Sequence, residues 1–250
     1  MRIFWVLLRR ELSSYFLSIT GYVIIAAVTF LTGESFMELI DALGGDAWPM
    51  PVTEMFFGTY YFWMIVLLSA PVITMRLFAQ EKASGTFETL MTTPVGDFSV
   101  VMAKFMAGFL FYAAAWLPLL ACLFIVGHFT SQSHALDYGM IGGMYVGIFL
   151  VGAFFLSFGC LASSLTRSQM VAAMVSLAFG VSQFALAWVA KNQAISDRWQ
   201  SKLLSCLSMF DQMNDLARGA IDTRTIIFYV TATFLFLFLT LRVVESRRWK

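Results

Sequence analysis

Charge is scarce in this sequence. Asp, Glu, Lys and Arg make up 12% of its 250 residues, about half the share of a soluble domain. So few charged groups cannot cover a soluble surface of this size. A disordered chain is excluded as well, because it needs low hydrophobicity and high net charge. The formal net charge is +1, so no basic field marks a nucleic-acid partner. Cysteine is rare: Cys122, Cys160 and Cys206 lie far apart, with no metal-ligand or redox-pair spacing. The first two sit in apolar runs, where a thiol behaves as a small hydrophobe. No G-x-x-x-x-G-K-[ST] loop occurs, so that device for holding ATP is missing. His128 and His134 have only Asp137 as a nearby carboxylate, too little for an intramembrane catalytic centre. No small-x-small cleavage site follows Arg9-Arg10, and the N-terminal segment reads as retained.

What remains is a chain whose solvent is mostly lipid. It is 60% hydrophobic, with 26 Phe, 15 Met and a mean hydropathy of +0.79. Apolar runs of about 20 residues cross a bilayer as helices, and six fit here. They are expected near 18–32, 56–75, 101–127, 140–165, 170–190 and 225–243, with Pro118 kinking the third. The expected fold is thus an all-α polytopic membrane protein in one domain, 1–250. Residues 1–17 mix arginines with bulky apolar groups and predict a helix lying in the interface. Residues 191–224 predict an amphipathic outer helical segment before the sixth span.

Six spans put both termini on one side, and the positive-inside rule makes that side cytoplasmic. The inner segments then carry 11 basic against 5 acidic residues, and the outer segments 5 basic against 10 acidic. No ionisable residue lies mid-span, where pumps and channels place proton relays and ion sites. Gln183 is the clearest mid-span polar group and reads as a helix–helix hydrogen bond. Driving energy is therefore expected from a partner. Gly143 and Gly147, and Gly152 and Gly159, let helices approach closely. They serve packing inside the bundle or a subunit seam. The Met and Phe residues fill the core, face lipid or line a greasy path.

The segment 76–98 between spans two and three is the most informative. A helix continuing from the second span is expected to stop at Gly85, which suits the left-handed position after a helix. Thr86 can cap a new short helix, with Glu88 in its first turn. Pro94 ends it, and Asp97 can cap the helix that re-enters the membrane. Two readings stand on these residues alone. A partner gripping Phe87, Leu90 and Met91 would lever both flanking spans, or the apolar side chains would rest in headgroups.

The pattern Arg76-x-x-Ala79-x-Glu81-Lys82-x-x-Gly85-Thr86-x-Glu88-x-Leu90-x-Thr92-x-Pro94, then Lys104, resembles the signature of ABC-2 type transporter permeases. The opening Arg10-Glu11-Leu12 to Tyr22, and the ending Phe210-Asp211 through Trp249, resemble the gliding-motility permease branch. Ile19 stands where that branch usually has proline. The resemblance implies a permease in the bacterial cytoplasmic membrane, with two ATPase subunits and a second permease, either a copy or a related chain. It implies no cofactor in this chain; ATP and Mg would sit on the ATPases. The N-terminal segment with Arg9, Arg10 and Glu11 becomes the connecting helix, and Thr86–Thr93 the coupling helix. Glu81 and Lys82 become a polar hinge, and Arg167 part of a smaller ATPase contact. The function implied is export driven by the partner ATPase. The branch resemblance leaves an alternative, mechanical or signalling work with an extracytoplasmic auxiliary protein.

Overall fold

A computed structural model describes residues 2–43, 52–87, 96–129, 138–193, 209–220 and 222–248. All regular structure among them is helical. The helices are α1 (Arg2–Phe16), α2 (Ile19–Leu43), α3 (Val52–Gly58), α4 (Tyr60–Thr74), α5 (Ala79–Ser84), α6 (Asp97–Ala115), α7 (Leu117–Phe129), α8 (Tyr138–Leu165), α9 (Gln169–Gln193), α10 (Met209–Ala217) and α11 (Thr223–Arg248). Among the described residues, six stretches are long and apolar enough to cross a membrane: Ile19–Asp41, Tyr60–Ser84, Asp97–Ile125, Gly139–Leu165, Gln169–Ala187 and Thr223–Ser246. Their number and order match the expectation from the apolar runs.

Three boundaries differ, each for a local reason. The first span was expected to end near Thr32, yet α2 continues to Leu43 through Glu34, Glu38 and Asp41. Between Thr32 and Gly44 the only helix breaker is Gly33, so an interior helical ladder has little to stop it. The second span does not run unbroken to Gly85. It breaks at Met75–Phe78 and resumes as α5. The third span breaks where Pro118 is expected to kink it: α6 ends at Ala115 with Trp116 as its C-cap, and Pro118 takes the second position of α7, where a missing N–H removes no helical bond. The helix start also moves by one residue. Gly96 is its N-cap, and Asp97 falls in the first turn, where its charge still faces the positive end of the helix.

Spans 2 and 4 form the centre, each with 67% of its apolar stretch buried against 17% for span 6. Helix α8 packs against α11, α9, α4, α10 and α6, and α1 lies along α6. Between helices in lipid, close fit replaces the hydrophobic effect as the attraction, and small residues supply it here. A Cβ on Gly152 would strike the Tyr112 ring, and one on Gly159 would strike Thr74. A Cβ on Gly147 would lie 3.1 Å from Met213 Sδ, and one on Gly143 would strike the Leu216 backbone. All four glycines thus face partners within this chain. At the α10 end, Arg218 donates to Glu54 through Nε at 3.0 Å and Nη2 at 2.5 Å, and Thr53 donates to the Ala217 carbonyl at 2.8 Å. These contacts pin α10 over α3 and α8.

Gly85 has φ +76 and ends α5 in the left-handed region, with open space where a Cβ would be. Gly85→Ala therefore meets no clash but strains the backbone. Thermal unfolding is expected to show a loss of about 1 kcal/mol, and Asn is expected to lose less.

Candidate functional site

The signature residues gather where α1, the α4–α5 break, α6 and the end of α8 meet. Their centre is Lys104. Seven residues into α6, it lies about 10 Å along the helix, and its side chain is 2% exposed. A buried ammonium needs paired acceptors. Lys104 Nζ has two, Glu11 Oε1 at 3.1 Å and Glu81 Oε1 at 2.9 Å. Arg10 bridges the same two carboxylates at 2.8 and 3.0 Å from its more exposed position. Its hydrogen bond to Glu11 raises the guanidinium pKa above the ordinary value, against the opposing pull of desolvation. Two cations and two anions thus close a ring across three elements far apart in sequence. The desolvation of such a ring offsets much of its Coulomb gain, so its plainest consequence is register rather than net stability.

Around the ring, neutral contacts extend the junction. Tyr15 donates to the Ile73 carbonyl at 2.8 Å and stacks on Phe111 with ring centres 5.0 Å apart. Burial raises its phenol well above the usual pKa, so it remains a donor. Arg76 donates to Thr20 on α2. The Lys104 ammonium also sits 5.6 Å from the centre of the Phe78 ring, a favourable cation–π position.

The break between α4 and α5 is held from another span. Phe78 occupies the N-cap of α5 and gives no side-chain cap. Ser163 on α8 takes that role: its Oγ accepts from the Phe78 and Ala79 N–H groups, both at 3.1 Å, and donates to the Met75 carbonyl at 3.4 Å. Ser163→Ala leaves two buried N–H groups unmet and is expected to lower stability by about 1–2 kcal/mol in thermal unfolding. Lys82 completes the tie. It donates to the Ser164 carbonyl, one of the last carbonyls of α8, where a cation suits the helix terminus. Its ammonium also lies 5.2 Å from the buried Phe87 ring.

The structure therefore brings Arg10, Glu11, Glu81, Lys82, Gly85 and Phe87 into one region. Thr86 is exposed at its edge, with its hydroxyl 3.4 Å from the Glu81 carbonyl. Arg9 is exposed on α1, and Arg167 is exposed in the turn between α8 and α9. Glu88, Leu90, Met91 and Pro94 fall outside the described residues, as does most of the expected coupling helix. Sequence reasoning missed Ser163, Tyr15 and the central place of Lys104. A lysine set inside the apolar opening of the third span was the available signal for the last. Among the described residues no three His, Cys, Asp or Glu side chains come together as a metal site.

Beside the ring, between α1, α5 and α6, lies a cavity of about 310 Å³ whose charged lining residues are Glu11, Arg76, Glu81 and Lys104. Ion pairs and a capped break thus tie α1, α5, α6 and α8 together. It has no described nucleophile–base pair.

Compared with known families, the profile of the ABC-2 family transporter protein matches residues 15–244. No curated protein matches the chain.

Proposed function

Because the chain belongs to the ABC-2 transporter family, we propose that it is the permease of an exporter whose energy enters through the junction at Lys104. Family membership makes it a multi-pass membrane component that works with an ATP-binding partner. The finer reading is that two ATPase subunits press on the segment 76–98 from the cytoplasm, in a complex with a second permease.

One observation carries this reading: Glu81, in the segment that would be pressed, is joined through Lys104 and Arg10 to α6 and α1. A displacement of α5 then cannot stay local. It moves the start of span 3 and the interfacial helix with it, while Ser163 and Lys82 relay it to span 4. Nucleotide can drive the bundle only by changing the relative free energy of its two conformations. A stiff joint lets it do so. Orientation follows from charge. The positive-inside rule supports placing the junction, with Arg9 and Arg10 of α1, on the cytoplasmic side, and the membrane proposed is the bacterial cytoplasmic one.

Glu81→Ala and Leu90→Asp in the complex with its ATPase are expected to leave insertion and ATP hydrolysis in place while abolishing ATP-dependent efflux, read as substrate accumulation inside inverted vesicles. Wild-type efflux in both variants would overturn the role given to 76–98. Hydrolysis that drives no efflux even in the wild type, with an outer-face protein recovered in the complex, would favour mechanical or signalling work instead.

A further inference from the structure

The cavity beside the junction has a defined chemistry. Its lining holds Arg76 and Lys104 beside Glu11 and Glu81, but Lys104 and Arg10 already bond both carboxylates, which leaves the Arg76 charge and the second oxygen of Glu81 for a ligand. A neutral molecule carrying both signs suits it better than a simple anion or cation. Two buried atoms there have no partner among the described residues, Arg76 Nε and Glu81 Oε2. One is a donor and one an acceptor, and each is an expensive group to leave unmet. The complement is a molecule that offers an acceptor to arginine and an N–H donor to a carboxylate.

The surroundings say where such a molecule comes from. Ser18 lines the cavity, and its neighbours Leu17 and Ile19 are each 83% exposed. Tyr22 and Val23, one turn further along span 1, are exposed as well. A polar cavity at the foot of a span thus opens beside an apolar strip, which is the layout of a phospholipid lying against a helix.

We propose that this cavity binds the headgroup of a phosphatidylethanolamine-class lipid. The phosphate accepts from Arg76 Nε, the primary ammonium donates to Glu81 Oε2, and the acyl chains lie on span 1. A choline headgroup has no N–H and leaves Glu81 Oε2 unmet. A glycerol headgroup offers Glu81 Oε2 only neutral hydroxyl donors, so it lacks the charge-assisted bond. The lipid would fill the space between α1 and α5 and so stiffen the joint.

Native mass spectrometry of the full-length protein in mild detergent tests this with dioleoyl phosphatidylethanolamine, phosphatidylcholine and phosphatidylglycerol at equal concentrations. The ethanolamine lipid is expected to bind about tenfold more tightly than the choline lipid, as one charge-assisted hydrogen bond predicts. Glu81→Gln is expected to remove that preference, and Arg76→Gln, which loses the phosphate contact common to both, is expected to weaken binding of the ethanolamine and choline lipids alike. Ser84→Trp, which fills the cavity from the exposed end of α5 and leaves the ion pairs in place, is expected to remove the preference too. Equal binding of the three lipids, or a preference that survives Ser84→Trp, would overturn the proposal. Soluble O-phosphoethanolamine that competes at the same concentration as the lipid would overturn the lipid as the source.

Discussion

Lys104→Met is expected to destabilise the protein by about 3–5 kcal/mol, the range for breaking a buried ion pair from one side. Methionine keeps most of the volume and removes only the charge. Glu11 and Glu81 then face each other at the mouth of an apolar bundle with Arg10 as their sole remaining described cation. Arg10 is 55% exposed, so water screens it and it replaces only part of what is lost. The loss is therefore expected near the lower end of the range. A companion variant separates charge from packing. With Glu11→Gln and Glu81→Gln added, the uncompensated anions disappear, and most of the stability is expected to return. Unfolding of the purified protein in mild detergent, followed by intrinsic fluorescence, reads both. A triple variant as unstable as the single one would mean that Lys104 acts through packing alone.

The second large effect is at adjacent glycines. Gly143→Ala is expected to destabilise the protein by about 2–3 kcal/mol, and Gly142→Ala to be neutral or to gain up to about 1 kcal/mol. The added methyl group is the same. At Gly143 it runs into the carbonyl oxygen of Leu216, with the Gly219 Cα also only 3.6 Å away, whereas at Gly142 it meets nothing within 4 Å. Backbone cannot rotate aside as a side chain can, so α10 must lift from α8. The Glu54–Arg218 pair and the Thr53 contact are then strained or lost. A disulfide-free readout is available in the rate of amide exchange over Met209–Ala217, which is expected to rise in Gly143→Ala and not in Gly142→Ala. Matching behaviour of the two variants would contradict the packing described for α8 and α10.

The parts of this architecture that were legible in advance are those a single helix carries by itself. An apolar run of bilayer length states its own fate, so the six spans could be read without a partner. Gly85 could be placed after a helix because the requirement for positive φ is local. What could not be read depends on groups far apart in sequence. The cap on α5 comes from Ser163, 85 residues beyond Phe78, and a serine near the end of an apolar span has many other uses. Glu54 and Arg218 are 164 residues apart, and nothing in either neighbourhood names the other. The extension of α2 to Leu43 was hidden by composition. Acidic residues suggest a loop, but glutamates are good helix formers and only Gly44-Gly45 provide a clear stop. The resemblance to a known signature singled out Glu81 and Lys82, while their different partners, Lys104 with Arg10 for one and Ser164 for the other, required the packed structure.

In the proposed mechanism, nucleotide-driven movement reaches the outer half of the bundle through the Glu81–Lys104–Glu11–Arg10 ring. Spin labels at Met37 and Leu120, both exposed towards the outer ends of spans 1 and 3, report on that directly in the complex with its ATPase. In the wild type, trapping ATP is expected to change the Met37–Leu120 distance. In Glu81→Ala, hydrolysis is expected to continue while the distance stays fixed. The same ATP-dependent distance change in both proteins would contradict the account.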